Sequence, residues 1–287
     1  MGNLISAEFR KILTTNLWWA LMIPTVAVAF FWSLGWSISG IDLDAFRLGT
    51  SQLPWSAAAL ARGFNIAAVF PMVFGGLAFT QEIGNRTITT TFLTGAPRSS
   101  VLWAKTITYL VWGLVYGVAI GLMVSLGTAV GSDTGHLPDG STWLLIVLAG
   151  VLMCMLWTLL GLGVGALIGS GIGTLVVLLV YALLVGPLSE LILFGVTEGS
   201  KLSGFLPNGS ANGMTSSTAA EAVLDQLRPI LAERGGILED KAVEDLVWIS
   251  AGAPGGLTQW VSGLVFLGWT ALLFGLGMLR NQRRDIT

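Results

Sequence analysis

The sequence predicts an all-α integral membrane protein with six transmembrane helices, on three observations. Of its 287 residues 54% are hydrophobic and only 10% charged, where a soluble domain carries roughly 25% charged residues. The mean hydropathy is +0.79, and six segments reach the roughly 20 apolar residues that a helix needs to cross the hydrocarbon core. Lys and Arg gather beside alternate ends of those segments, which is how a multi-pass chain declares its orientation.

Ahead of the first span lies "NLISAEFRKILTT". At about 100° per residue, Ile5, Phe9, Ile12 and Leu13 fall in one arc and Arg10 and Lys11 outside it, the pattern of an interfacial helix over residues 1–16 with its apolar face in lipid. Span one runs from Leu17 to Ile38 and is read as retained, being longer than a signal-peptide core. Its Trp18, Trp19 and Trp36 stand where interfacial anchors are expected. Span two runs from Arg62 to Thr80 and span three from Thr106 to Val130. Spans four (Thr142 to Ile168) and five (Ile172 to Phe194) form one apolar run twice the length of a single span, so the chain must turn, and Gly169 to Gly173 is where glycine permits it. The spacings Gly165 to Gly169 and Gly169 to Gly173 fit small-xxx-small packing. Span six runs from Leu257 to Leu279.

With six spans, Arg10 and Lys11, then Arg86, Arg98 and Lys105, then Arg280, Arg283 and Arg284 share one side, which the positive-inside rule makes cytoplasmic together with both termini. The opposite side carries the short acidic loop from Gly131 to Ser141, with the lone His136 read as a solvated residue, and the polar insertion 196–256. That insertion opens with "TEGSKLSGFLPNGSANGMTSS", read as loop, and continues with two amphipathic helices, "STAAEAVLDQLRPILAE" and "LEDKAVEDLVWIS", read as a helical cap over the outer mouth. The whole chain, 1–287, forms a single transmembrane domain.

Several functions are excluded. A net charge of -2 without a basic tail gives nucleic acid no footing. Cys154 is the only cysteine, so no intrachain disulfide is available. Neither a Gly-Lys-Ser/Thr phosphate loop nor metal-spaced His/Cys pairs occur, and no base faces a candidate nucleophile, so the chain is read as no enzyme and as unable to hydrolyse ATP.

The segment "QEIGNRTITTTFLTGAPRSSVLWAK" returns the chain between spans two and three over far more residues than a tight connection requires. Glu82 closes span two, Thr87 to Thr91 can bond locally, Gly95-Ala96-Pro97 turns, and Ser99 or Ser100 can cap a short helix through Trp103 to Lys105. Flanked by Arg86, Arg98 and Lys105, a helix there offers a rigid knob to a soluble partner. In these residues the chain resembles the permease subunit of ABC-2 type exporters: Glu82, Thr87, Leu93, Pro97, Arg98 and Lys105 match the family's pattern, whereas Arg86 stands where glycine is common. The layout of interfacial helix, six spans and outer insertion extends the resemblance over the whole chain, and it implies for that insertion a re-entrant helical hairpin, which in the family is often shorter than the roughly 60 residues here.

The resemblance implies a half-transporter in a bacterial plasma membrane. It pairs with a second permease subunit, identical or not, and with cytoplasmic ABC ATPases that hold the ATP and Mg, so this chain itself needs no cofactor. Loop 84–105 corresponds to the coupling element, with Glu82, Arg86, Thr87, Phe92, Leu93, Pro97, Arg98 and Lys105 docking the ATPase and Arg10 and Lys11 adding a second contact. In the spans Glu190, beyond Gly186-Pro187, is the clear ionisable exception, readable as an outer gate or as a glutamate snorkelling or paired with a neighbouring helix. Phe70 and Phe74, at i and i+4 beside Pro71, face either a shared substrate cavity or lipid. With no ring of charges to bind a small ion, the expected cargo is apolar or amphipathic; drugs, peptides, lipids and antibiotics all fit. An ion-coupled secondary transporter is the alternative.

Overall fold

The computed structural model describes residues 2–39, 55–84, 97–132, 137–233 and 240–283. Among these, all regular structure is helical, and six helices are long and apolar enough to cross a membrane: Leu17–Ser39, Ser56–Thr80, Ser100–Gly131, Gly140–Ile168, Gly171–Val196 and Gln259–Asn281. Arg86, Thr87, Phe92, Leu93, His136 and Arg284 lie outside the described residues, as do the side chains of Glu82, Arg98 and Arg283.

Helix α1 (Gly2–Thr14) leads into α2 (Leu17–Ser39), the first span. The second span is two helices, α3 (Ser56–Ala67) and α4 (Val69–Gly84), joined at Ala68. Pro71 accounts for the joint, because it has no N–H for the carbonyl of Ala67, four residues back. This span begins at Ser56, six residues before the boundary expected at Arg62. Arg62 does not end it, because its guanidinium finds acceptors inside the protein, and the small residues Ala57, Ala58, Ala59 and Ala61 bury fully ahead of it.

The third span is the upper part of α5 (Arg98–Gly131), one continuous helix that starts directly after Pro97. The separate short helix expected from Ser99 to Lys105 is therefore the first two turns of this span, since nothing between Arg98 and Thr106 breaks a helix. Helix α6 (Gly140–Ile168) is capped by Asp139, whose carboxylate accepts from the amides of Ser141 and Thr142. It ends at Gly169 in the left-handed region (φ 72°), and Ser170 caps the following helix through the amide of Gly173. The expected turn between spans four and five is thus two residues long.

Span five is α7 (Gly171–Val180), a π turn over Tyr181–Val185, and α8 (Gly186–Val196). Pro187 cannot bond to the carbonyl of Leu183, and the wider turn in front of it absorbs the defect, with the amide of Gly186 bonding Tyr181. A 3₁₀ turn, Lys201–Phe205, follows, then α9 (Pro207–Glu233), α10 (Asp240–Ala251) and the last span, α11 (Gln259–Arg283).

Backbones approach most closely where α4 crosses α6. A Cβ on Gly75 would run into the carbonyl of Thr158, one on Gly161 into that of Met72, and one on Gly165 into that of Gly76. The small-residue stripe therefore lies at Gly161 and Gly165, one turn before the expected series; Gly169 is the turn residue, and a Cβ on Gly173 would meet only Ile168 and Ser170.

The insertion departs from the cap read in its residues. The stretch read as loop becomes helical at Pro207, and α9 packs on α3, α6 and α11 rather than lying over the bundle as a cap. Ser210, Ala211, Thr215, Ser216, Ser217, Ala219 and Ala220 are all fully buried. Poor helix formers hold a helix here because their hydroxyls are satisfied, the single proton of Ser217 Oγ being shared between the carbonyls of Gly213 (2.6 Å) and Leu257 (2.5 Å), and because small side chains fit between spans. Together α9 and α10 form a hairpin whose base is sunk between the spans.

Candidate functional site

Buried charges occur at both ends of the bundle. At the end that carries α1, Glu8 is buried and takes Lys11 Nζ at 2.7 Å and Lys105 Nζ at 3.0 Å on its two carboxylate oxygens. Lys105, only 2% exposed, stands over the rings of Phe79 (5.3 Å) and Tyr109 (5.7 Å). Burial pulls the Glu8 carboxyl up, but the two ammonium groups outweigh it and hold it below the ordinary glutamate value. The arc of α1 is accordingly rotated from the expected one: Glu8 and Ile12 face the protein, while Leu13 is exposed. Glu8 was missed in the sequence because a charge on an amphipathic helix counts as outward; its i, i+3 spacing to Lys11 was the available signal.

Of the expected docking residues, Arg10 and Lys11 are exposed on α1 and Pro97 is exposed at the head of α5. Lys105 is not: its ammonium is turned inward to Glu8, so it presents no surface to a partner and serves to tie α1 to α5.

At the opposite end, the base of the hairpin meets two charges from the spans. Arg62 on α3 donates from Nε to the carbonyl of Ser250 (2.8 Å) and from Nη2 to that of Ile249, and the ring of Trp36 lies 4.8 Å from its guanidinium carbon. These are last-turn carbonyls of α10, the negative end of its dipole, which lack partners within the helix. Ser216 donates to the next one, Ala251 (2.7 Å), and Gly252 follows with φ 102°, so close to Arg62 and Asn65 that a Cβ would crowd both. Asn65 completes the seam: its amide donates to Ser216 Oγ (3.0 Å), and its carbonyl oxygen accepts from Thr215 Oγ1 (2.9 Å).

Glu190 on α8 faces the first turn of α9. Asn208 Nδ2 donates to its Oε1 at 2.5 Å, and Asn212 lies beside it. Glu190 stands six residues before Val196, the end of span five, about 9 Å below that end at 1.5 Å per residue. Each end of the hairpin base is thus matched by a charge of the opposite sign to its helix dipole, Glu190 at the start of α9 and Arg62 at the end of α10. Glu190 is hydrogen-bonded to a neighbouring helix, which contributes an amide.

Arg62 and Glu190 line one cleft of about 220 Å³, with Asn65, Asn208 and Asn212 as its other polar walls and Trp32, Ile66, Val69 and Leu191 as apolar ones. Phe70 and Phe74 do not line it. Phe74 is 1% exposed and packs against Tyr109, Trp112 and Tyr116, with ring centroids 5.2–5.8 Å apart, because Pro71 and the joint at Ala68 turn it toward α5; Phe70 is half-buried. Arg62, Asn65 and Asn208 were not legible as a site: they lie in segments read as a span boundary, a span interior and a loop. No group of His, Cys, Asp or Glu arranged to hold a metal occurs among the described residues.

A family model described as ABC-2 family transporter protein matches residues 4–186, more than half of the chain, from α1 to the start of α8. No curated protein matches it.

Proposed function

The chain belongs to the ABC-2 transporter family, and from that premise we propose that it is the permease subunit of an ATP-driven exporter. Two permease subunits pair in a bacterial plasma membrane, ABC ATPases dock on the face that carries α1, and nucleotide-driven closure alternates access for an apolar or amphipathic cargo. The face with Arg10, Lys11 and Arg280 is cytoplasmic, and the α9–α10 hairpin is on the outside, as the distribution of Lys and Arg supports. ATP hydrolysis is assigned to the partner, a reading that fits a sequence without a Gly-Lys-Ser/Thr phosphate loop.

One observation carries the coupling role: the Glu8–Lys105 pair joins α1 to the end of the loop between spans two and three. A partner pressing on Arg10, Pro97 or Arg98 thereby acts on one body that continues through α5 across the membrane. The residues around Glu82, Arg86, Thr87, Phe92 and Leu93 form the rest of the contact, and Lys105 supports it from beneath.

Replacing residues 84–104 with a short Gly/Ser linker tests this. The six spans should still insert, while association with the ATPase and transport are abolished; unchanged association and transport would falsify the coupling role. A chain that exports its cargo with no ATPase bound, driven by an ion gradient, would favour the secondary-transporter alternative.

A further inference from the structure

The cleft at the hairpin base has features that anchoring the hairpin does not use. Glu190 is 2% exposed, and what exposure it has opens into the cleft. Its described partners are neutral amides, with no cation within ion-pair distance among the described residues, although a carboxylate buried among spanning helices is costly unless compensated. Arg62 stands in the same wall. Its Nε and one Nη donate to α10, so Nη1 carries donors not committed to that helix. The cleft therefore offers one acceptor of positive charge and one donor to negative charge, and no net charge of its own. A lone cation would be drawn by Glu190 and repelled by Arg62; a lone anion would meet the reverse.

Size narrows the occupant further. A drug-sized ligand needs roughly 300–1,000 Å³, and this cleft has about 220 Å³. It accommodates a polar head and not a whole molecule. Among its walls, Trp32 on α2 and Leu191 on α8 are 43% and 49% exposed, so apolar surface continues from the cleft to the outside of the chain.

We propose that this cleft binds the zwitterionic head of an amphiphile, its amine on Glu190 and its acidic group on Arg62, with the apolar part of the molecule leaving between Trp32 and Leu191. The identification of that amphiphile as cargo rests on the transporter reading; the binding site itself does not.

The purified full chain, without any ATPase, is titrated in detergent with phosphatidylethanolamine, with phosphatidylglycerol and with a trimethylammonium lipid, all of the same acyl chains, and retention is read by native mass spectrometry. Phosphatidylethanolamine should be retained in preference to both singly charged lipids. Glu190→Gln should weaken that retention about tenfold, the loss of one charge-assisted contact, and should raise retention of phosphatidylglycerol, whose anionic head then meets Arg62 without the opposing carboxylate. Leu191→Trp, which narrows the passage beside Trp32 and leaves both charges in place, should weaken phosphatidylethanolamine retention as well, and serves where E190Q does not fold. Equal retention of the three lipids, or retention indifferent to both substitutions, overturns the site. With the ATPase added, phosphatidylethanolamine that is retained but does not stimulate ATP hydrolysis is a resident lipid, and the assignment as cargo falls. Should no ATPase associate at all, the transporter reading fails while the retention measurements stand.

Discussion

Glu8 at one end of the bundle and Glu190 at the other are equally removed from solvent, at 5% and 2% exposure, yet they are handled in opposite ways. Glu8 is met by two ammonium groups within 3.0 Å and joins two helices directly. Glu190 has amides for partners and shares a cleft with an arginine it does not touch among the described residues. The first arrangement is a fastener, in which charge is cancelled on contact. The second keeps two opposite charges apart across a space, each steadied by a helix end. A closed pair commits the protein to one geometry, whereas separated charges leave something for a ligand to complete.

The sharpest way to break the comparison is to take one partner from each cluster. Lys105→Met leaves Glu8 buried with only the half-exposed Lys11, and removing one member of a buried pair costs about 3–5 kcal/mol. Thermal unfolding in detergent should show the loss, and the double variant Glu8→Gln, Lys105→Met should recover part of it, because the buried carboxylate at position 8 is then gone. A double variant as unstable as the single one would mean that the ammonium matters for its packing on Phe79 and Tyr109 rather than for its charge.

At the other end, Arg62→Met strands the carbonyl of Ser250 and leaves that of Ile249 with the Gly252 amide alone. At about 1–3 kcal/mol for each unsatisfied group, the expected loss is somewhat smaller, and it is local. Hydrogen exchange should quicken in α10 and in the first half of α9 and stay unchanged in α1 and α5. Exchange that rises uniformly would make Arg62 a general core residue and remove the distinction between the two ends.

These differences also explain which parts of the molecule could be read in advance. The number of spans and the turn at Gly169 follow from hydropathy and from glycine's conformational freedom, both local properties. The depth of the hairpin does not. "PNGSANGMTSST" is polar by composition, and only its neighbours reveal that Ser216 and Ser217 are satisfied across the packing interface by carbonyls 35 and 40 residues away. Glu8 was hidden for the same reason, since the lysine that buries it lies 97 residues on. Arg62 reads as the edge of a span in the sequence, because the acceptors that make it tolerable deeper in the protein lie 187 and 188 residues on, in a segment read as a cap.

A subtler test leaves the charges intact and presses on the scaffold that holds them apart. Gly161→Ala puts a methyl group against the carbonyl of Met72 where α6 crosses α4. Overpacking of this kind costs about 1–3 kcal/mol. The displaced helices carry the cleft's apolar wall at Val69, one turn from Met72, while the part of α4 that meets Lys105, at Ala78 and Phe79, lies about two turns away, so phosphatidylethanolamine retention should fall more than the docking of α1 loosens. Equal loss of both would show that the two ends are mechanically one.

The smallest effect is expected from acid at the fastened end. The folded Glu8 carboxyl lies below its ordinary value of 4.5 because Lys105 and Lys11 outweigh its burial. A depressed carboxylate contributes stability that is present above the ordinary value and is lost as pH falls through the lower folded one. Docking of α1 should therefore be constant from neutral pH down to the ordinary glutamate range and weaken only below it. A cysteine introduced at the exposed Ser6 can be spin-labelled selectively, since the natural Cys154 is buried. Label mobility should rise below about pH 4 in the natural sequence and show no such step in Glu8→Gln, where the titrating group is gone. A step shared by both proteins would assign the acid response to another group and leave the Glu8 fastener without its electrostatic basis.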